Sequence, residues 1–215
     1  MSRHELKLMA KQDLKGNWTK PVILSTLFII LTLLIEASST LIDPMIKNNI
    51  IGSTVYTIFS ISLSAALSLG FYKFFFNIAK KEEYKLLDLF SCFKCIFKAT
   101  ILVIIIAIIS ALGLLLFVIP GIYFALGTSQ SLLILAEDNS KTIFQCLSES
   151  LDLMKSHKIE YIILQLSYLG WILLGGLFFG IGLLWVTPYI TLVDTYFYLY
   201  LKDSLYKQDN SSDKI

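Results

Sequence analysis

Apolar residues fall in six long stretches, near 21–42, 50–72, 100–119, 121–136, 159–179 and 183–201, separated by segments richer in polar residues. Crossing the hydrocarbon core of a bilayer takes roughly 20 apolar residues in one helix, because nothing there but the helix itself can satisfy backbone N–H and C=O groups. Five stretches are close to that length. The fourth, Gly121 to Ala136, is short and must tilt or borrow from its flanks. The pattern predicts an all-α polytopic membrane protein, a single domain over 1–207 with six transmembrane helices arranged as three hairpins.

The segments leading into the hairpins carry apolar residues at helical spacing, which predicts an amphipathic surface helix ahead of each. In the second segment Leu86, Leu89, Phe90, Phe93, Ile96 and Phe97 recur at steps of three and four; in the third Ile143, Phe144, Leu147, Leu151 and Met154 do the same. In the first, Leu6, Met9, Ala10 and Leu14 share one side, and Arg3, Lys7, Lys11 and Lys15 form a basic stripe suited to anionic lipid head groups. Lys15, Lys94 and Lys155 each precede a small residue (Gly16, Cys95, Ser156) and lie seven positions before Val22, Ile101 and Ile162. That register suggests a threefold repeat, although any loop entering a membrane tends toward a Lys followed by apolar residues. The tail over 208–215 is polar and is expected to be disordered.

Charge adds a direction. Of the 18 Lys and Arg residues, 17 fall before the first stretch, between the second and third, between the fourth and fifth, or after the sixth; only Lys47 lies elsewhere. Short cytoplasmic loops collect basic residues, so both termini are expected in the cytoplasm. The outer connections are then 43–49, Ile119-Pro120-Gly121 and Gly180-Ile181-Gly182. With 56% hydrophobic residues, 16% charged residues and a mean hydropathy of +0.72, the chain does not fit an ordinary soluble domain. Cleavage of the first stretch as a signal peptide is the rival reading, because Ala37-Ser38-Ser39 loosely resembles a small-residue site. Glu36 beside that site, the long polar leader and the odd number of spans left behind speak against it.

Several runs carry a resemblance: Leu14-Lys15-Gly16-Asn17-Trp18, Phe117 to Tyr123, Ala136-Glu137-Asp138-Asn139, Ser150 to Lys158, and Leu166-Ser167-Tyr168-Leu169-Gly170-Trp171. Together they resemble a bacterial integral-membrane family filed as domain of unknown function 975, a relative of the membrane domain attached to some glycerophosphodiester phosphodiesterases. Ser156 stands where that family's Gly is expected. The resemblance covers nearly the whole chain and implies a six-span bacterial membrane protein with no activity attached; the location expected is the bacterial cytoplasmic membrane.

Candidate chemistry is sparse. Cys92-Phe93-Lys94-Cys95 has C-x-x-C spacing, but a zinc site wants four ligands and Cys146, His4 and His157 are scattered, so packed cysteines are the stronger reading. Ionisable groups in a bilayer are costly and therefore functional suspects, which singles out Glu36 in the first span and Asp194 in the sixth. Asp194 lies roughly 10 Å from the cytoplasmic end of its span, and Gln165 and Gln130 reach nearly the same depth. These three, with Ser129, Ser131 and Thr191, form a candidate ion, proton or head-group cluster; interhelical hydrogen bonding is the bland alternative and the stronger one. Gly176 and Gly180 form a G-x-x-x-G pair that serves a tight hairpin as well as a dimer. His4 and His157 have no triad partners, and there is no nucleotide-binding loop. The basic residues track the membrane face, so nucleic acid is not expected. No metal or cofactor is expected either. The partners expected are membrane lipids with anionic head groups, and a membrane protein or a second copy of the chain. A non-enzymatic accessory or scaffold role follows, in envelope homeostasis or protection against membrane-active peptides. A small transporter using the Asp194 cluster and a membrane partner of a lipid-processing enzyme are the rivals.

Overall fold

The computed structural model describes residues 2–46, 49–116, 118–177 and 180–212, and these are helical with no strand among them. Helix α1 (Arg3–Leu14) starts at a capping box, in which the Ser2 hydroxyl accepts from the Glu5 amide and the Glu5 carboxylate accepts from the Ser2 amide. Gly16, at φ +85°, turns the chain into α2 (Thr19–Ile46). Then come α3 (Ile50–Ala79), α4 (Asp88–Ser91), α5 (Ile96–Leu116), α6 (Val118–Gly127), α7 (Ser131–Glu137), α8 (Ile143–Met154), α9 (Lys158–Leu177) and α10 (Leu183–Ser212).

Five helical segments among the described residues are long and apolar enough to cross a membrane: Thr19–Ile42, Ile50–Ala79, Asp88–Leu115, Ile119–Glu137 and Lys158–Leu177. The sixth expected span, 183–201, is not among them. Thr187, Pro188, Tyr189, Thr191, Asp194, Thr195, Tyr196, Tyr198 and Tyr200 dilute its apolar content. Its placement differs as well. Helices α2 and α3 pair antiparallel, with Phe28 stacked on Phe71 at 4.3 Å and Ser38 bonded to Tyr56 at 2.6 Å nearer the far end. The near end, where α2 starts and α3 stops, is called the basic end below. Trp185 of α10 lines a cavity with Trp18, just before α2, while Tyr198 packs edge-on against Phe76, one turn before the end of α3. Roughly 20 Å of helix separates Trp185 from Tyr198, yet both sit at the basic end, so α10 crosses that end obliquely.

Four other expectations are corrected. The surface helix expected over 86–97 is only α4 followed by a 3-10 turn at Cys92–Cys95, which feeds straight into α5. Asp88 anchors that compact turn by accepting from the Lys85 amide and the Asn77 side chain. The fourth stretch is two helices interrupted at Thr128–Gln130. There the Ser150 hydroxyl of α8 donates to the Gly127 carbonyl at 2.6 Å and accepts from the Gln130 amide at 3.2 Å, replacing part of the missing turn. Ile119-Pro120-Gly121 is not a turn but the first turn of α6, where proline's missing N–H costs nothing. Helix α10 also runs to Ser212, into the segment expected to be disordered, with Lys207 paired to Asp203 one turn earlier. Lys47, Phe117 and residues 213–215 lie outside the described residues.

The core lies toward the basic end. Phe71, Phe74, Phe75 and Phe76 of α3 are buried, with Phe74 edge-on to Tyr84 at 5.3 Å. Toward the far end the same helix exposes Val55, Ile58 and Phe59, a surface suited to lipid tails. Close helix contact uses glycines other than the G-x-x-x-G pair. A Cβ on Gly176 or Gly180 would meet nothing within 4 Å, whereas one on Gly182 would lie 2.6 Å from the Gly175 Cα across the last hairpin. The tightest approach is at Gly70, where a Cβ would lie 1.9 Å from the Leu89 carbonyl oxygen of α4. Gly70→Ala should therefore push α4 off α3 and cost about 2–3 kcal/mol. Gly176→Ala should leave thermal unfolding in detergent unchanged.

Candidate functional sites at the last hairpin

The basic stripe is not presented to open water along its length. Leu6, Ala10 and Leu14 bury one side of α1 completely, and the helix packs along α10, with the Tyr196 hydroxyl donating to Asp13. This docking turns Lys7 of the stripe toward α9. Lys7 donates to the Ser167 hydroxyl at 2.7 Å and sits 5.7 Å from the Tyr168 ring centroid. Burial against α9, then the charges of Arg3 and Lys11, pull the Lys7 ammonium below the ordinary lysine value. Arg3, Lys11 and Lys15 are exposed. Among the described residues, no carboxylate lies within 4 Å of any of the four. The two acidic residues of α1 are engaged elsewhere, Glu5 at the Ser2 amide and Asp13 at Tyr196.

The intramembrane cluster forms in part. The Gln165 amide donates to Asp194 Oδ1 at 3.1 Å, and the Tyr168 hydroxyl donates to the same oxygen at 3.2 Å. Both donors lie on α9, three residues apart and on one face, and the acceptor lies on α10, so the group ties the last hairpin together. Gln130 does not join it. As the residue capping α7 at the break in the fourth stretch, it donates from Nε2 to Ser129 at 3.1 Å, while its Oε1 and the Ser131 hydroxyl are buried without a partner. The Tyr161 ring of α9 stacks on Phe197 of α10 at 5.5 Å. The Thr191 hydroxyl donates to the Thr187 carbonyl of its own helix.

Two residues that sequence reasoning passed over hold this region. Glu137 accepts from Lys80 at 2.9 Å, Lys202 at 2.6 Å and the Tyr198 hydroxyl at 2.6 Å, joining α3, α7 and α10. Tyr168 was overlooked although it lies three positions after Gln165, the spacing that places two side chains on one helix face. Of the remaining candidates, Glu36 is exposed on α2 and His157 pairs with Glu160 at 3.0 Å. Cys92 is buried and Cys95 half-buried in the 3-10 turn. Burial raises the Cys146 thiol, which leaves it unreactive as a nucleophile.

The family model described as a protein of unknown function (DUF975) matches residues 1–126 and 99–204, nearly the full length. The chain belongs to the DUF975 family. No curated protein and no solved structure matches it. In this DUF975 protein the run Leu166-Ser167-Tyr168-Leu169-Gly170-Trp171 has a physical content: Ser167 receives Lys7, Tyr168 receives the Asp194 carboxylate, and Trp171 faces Trp185 across a shared cavity.

Replacing Asp194 by Leu leaves two donors without their acceptor and should cost about 1–2 kcal/mol. Asp194→Asn keeps an acceptor oxygen and should cost less than half as much, with both read as thermal unfolding in one detergent.

Proposed function

We propose that this protein is a non-enzymatic, multi-pass component of the bacterial cytoplasmic membrane, with both termini cytoplasmic, that engages anionic lipid head groups through α1. One observation carries the reading: Arg3, Lys7, Lys11 and Lys15 recur at successive turns of one helix with no carboxylate within ion-pair distance, while the helix's own acids are turned away. Four cations held this close repel one another, and anionic phosphates relieve that repulsion. The inward orientation rests on the distribution of Lys and Arg. A scaffold of this kind would serve envelope homeostasis or shield the membrane from lytic peptides.

Each basic residue near an anionic surface contributes about 1 kcal/mol, so removing all four charges should weaken retention of anionic lipid by about a thousandfold. Native mass spectrometry after mild-detergent purification checks this. The wild-type protein should carry phosphatidylglycerol in preference to phosphatidylcholine, and the variant with Arg3, Lys7, Lys11 and Lys15 all changed to Gln should carry neither selectively. Equal retention of both lipids by the wild type would refute the reading.

The break in the fourth stretch supports a second reading, a small transporter or channel, because interrupted helices with unpartnered polar atoms build ion and substrate sites in membrane proteins. Gln130 Oε1 and the Ser131 hydroxyl are such atoms. On that reading Asp194→Asn abolishes ion or proton flux in proteoliposomes while insertion stays normal; unchanged flux removes Asp194 from any pathway.

A further inference from the structure

Between α1 and the hairpin of α9 and α10 run two cavities of opposite character. The first, about 370 Å³, is lined by Ser2, Arg3, His4, Lys7, Ile163 and Ser167. The second, about 250 Å³, is lined by Lys11, Trp18, Trp171, Trp185, Val186 and Tyr189. Lys7 and Lys11 are four residues apart, as are Ser167 and Trp171, so the second cavity lies one helical turn, about 6 Å, further along both helices. The first is cationic and hydroxyl-lined. The second holds all three tryptophans of the chain. Such a sequence of surroundings matches a molecule with an anionic group at one end and hydrocarbon directly behind it.

We propose that the α1/α9 groove binds one anionic phospholipid, its phosphate held by Arg3, His4 and Lys7 and the upper part of an acyl chain lying against Trp18, Trp171 and Trp185. This assignment rests on the lipid reading above and locates it. The Lys7 ammonium gives one hydrogen bond to Ser167 and has two further protons for a phosphate oxygen. Arginine supplies the planar fork that phosphate accepts, and its neighbour His4 adds a ring nitrogen. Lys11 contributes its methylene stem to the second cavity and directs its charge toward the head group, as lysines do at membrane interfaces. A soluble phosphate would occupy the first cavity alone, and a zwitterionic lipid would leave the cluster of cations with a choline group beside it. The first leaves the apolar cavity empty, and the second sets a cation against cations.

Because every tryptophan lines the groove, intrinsic fluorescence reports on its occupant. The full-length protein, in nanodiscs of phosphatidylcholine, is given a minor fraction of phosphatidylglycerol with brominated acyl chains, or the same fraction of brominated phosphatidylcholine. Bromine quenches only at contact, so selective occupancy should make the brominated phosphatidylglycerol at least fivefold more effective per mole, the equivalent of one basic contact. Arg3→Gln with Lys7→Gln should erase that difference without altering the helical circular dichroism or the elution volume. His4→Gln, which removes no fixed charge, should reduce it only in part. Soluble glycerol phosphate, which can fill only the cationic cavity, should not quench and should displace the brominated lipid only weakly. Equal quenching by the two lipids in the wild type, or an undiminished preference in the double variant, would overturn the assignment. If phosphatidylglycerol is retained in native mass spectrometry but shows no preferential quenching, the lipid reading stands and this groove is not its site; if it is not retained, both fall.

Discussion

Glu137 accepts hydrogen bonds from Lys80, Lys202 and Tyr198, and through those three partners the ends of α3 and α7 are fastened to the middle of α10. Its side chain is 10% exposed, so solvent does little to screen the carboxylate, and removing it would leave two cations facing each other at the basic end. The path of α10 follows from this attachment. Once Lys202 and Tyr198 are held there, the helix must run back across the start of α2 to place Trp185 beside Trp18. Helix α9 is then positioned by α10 through Asp194, and α1 is positioned by α10 through Asp13 and Tyr196. The groove between α1 and α9 is thus a consequence of one carboxylate shared among three helices.

The interrupted fourth stretch shows a different economy. The run Ile119–Glu137 is long enough to cross but is divided in two, and the backbone groups of Gly127 and Gln130 at the division are met by Ser150 from the following helix. Helix α8 is held in place by that exchange and by the contact of Leu151 with Gly127. Its start is set independently by the Thr142 and Gln145 capping box. One end of α8 is therefore decided by local chemistry, and the other by the break it repairs.

Legibility in the sequence follows the range of the interaction. Gln165 and Asp194 were found because polar atoms in an apolar stretch stand out, and their depth could be counted from the span ends. Gln130 satisfied the same count and still points elsewhere, because depth says nothing about the turn that interrupts its helix. Tyr168 was readable from its three-residue offset from Gln165, yet a tyrosine in a span suggests interfacial anchoring first. Lys7 with Ser167 could not be read at all: the partners are 160 positions apart, and nothing local to either names the other.

By itself the sequence determined the helical class, the apolar segments and the segregation of basic residues. Each depends on hydropathy or charge within a few residues. Only the tertiary structure decided that α10 crosses the basic end, that the fourth stretch breaks at Thr128–Gln130, and that Lys7 of the basic stripe meets Ser167 of α9. Those outcomes depend on which side chain satisfies a buried charge or an open backbone group. That choice is made among residues far apart in the chain, after the helices exist.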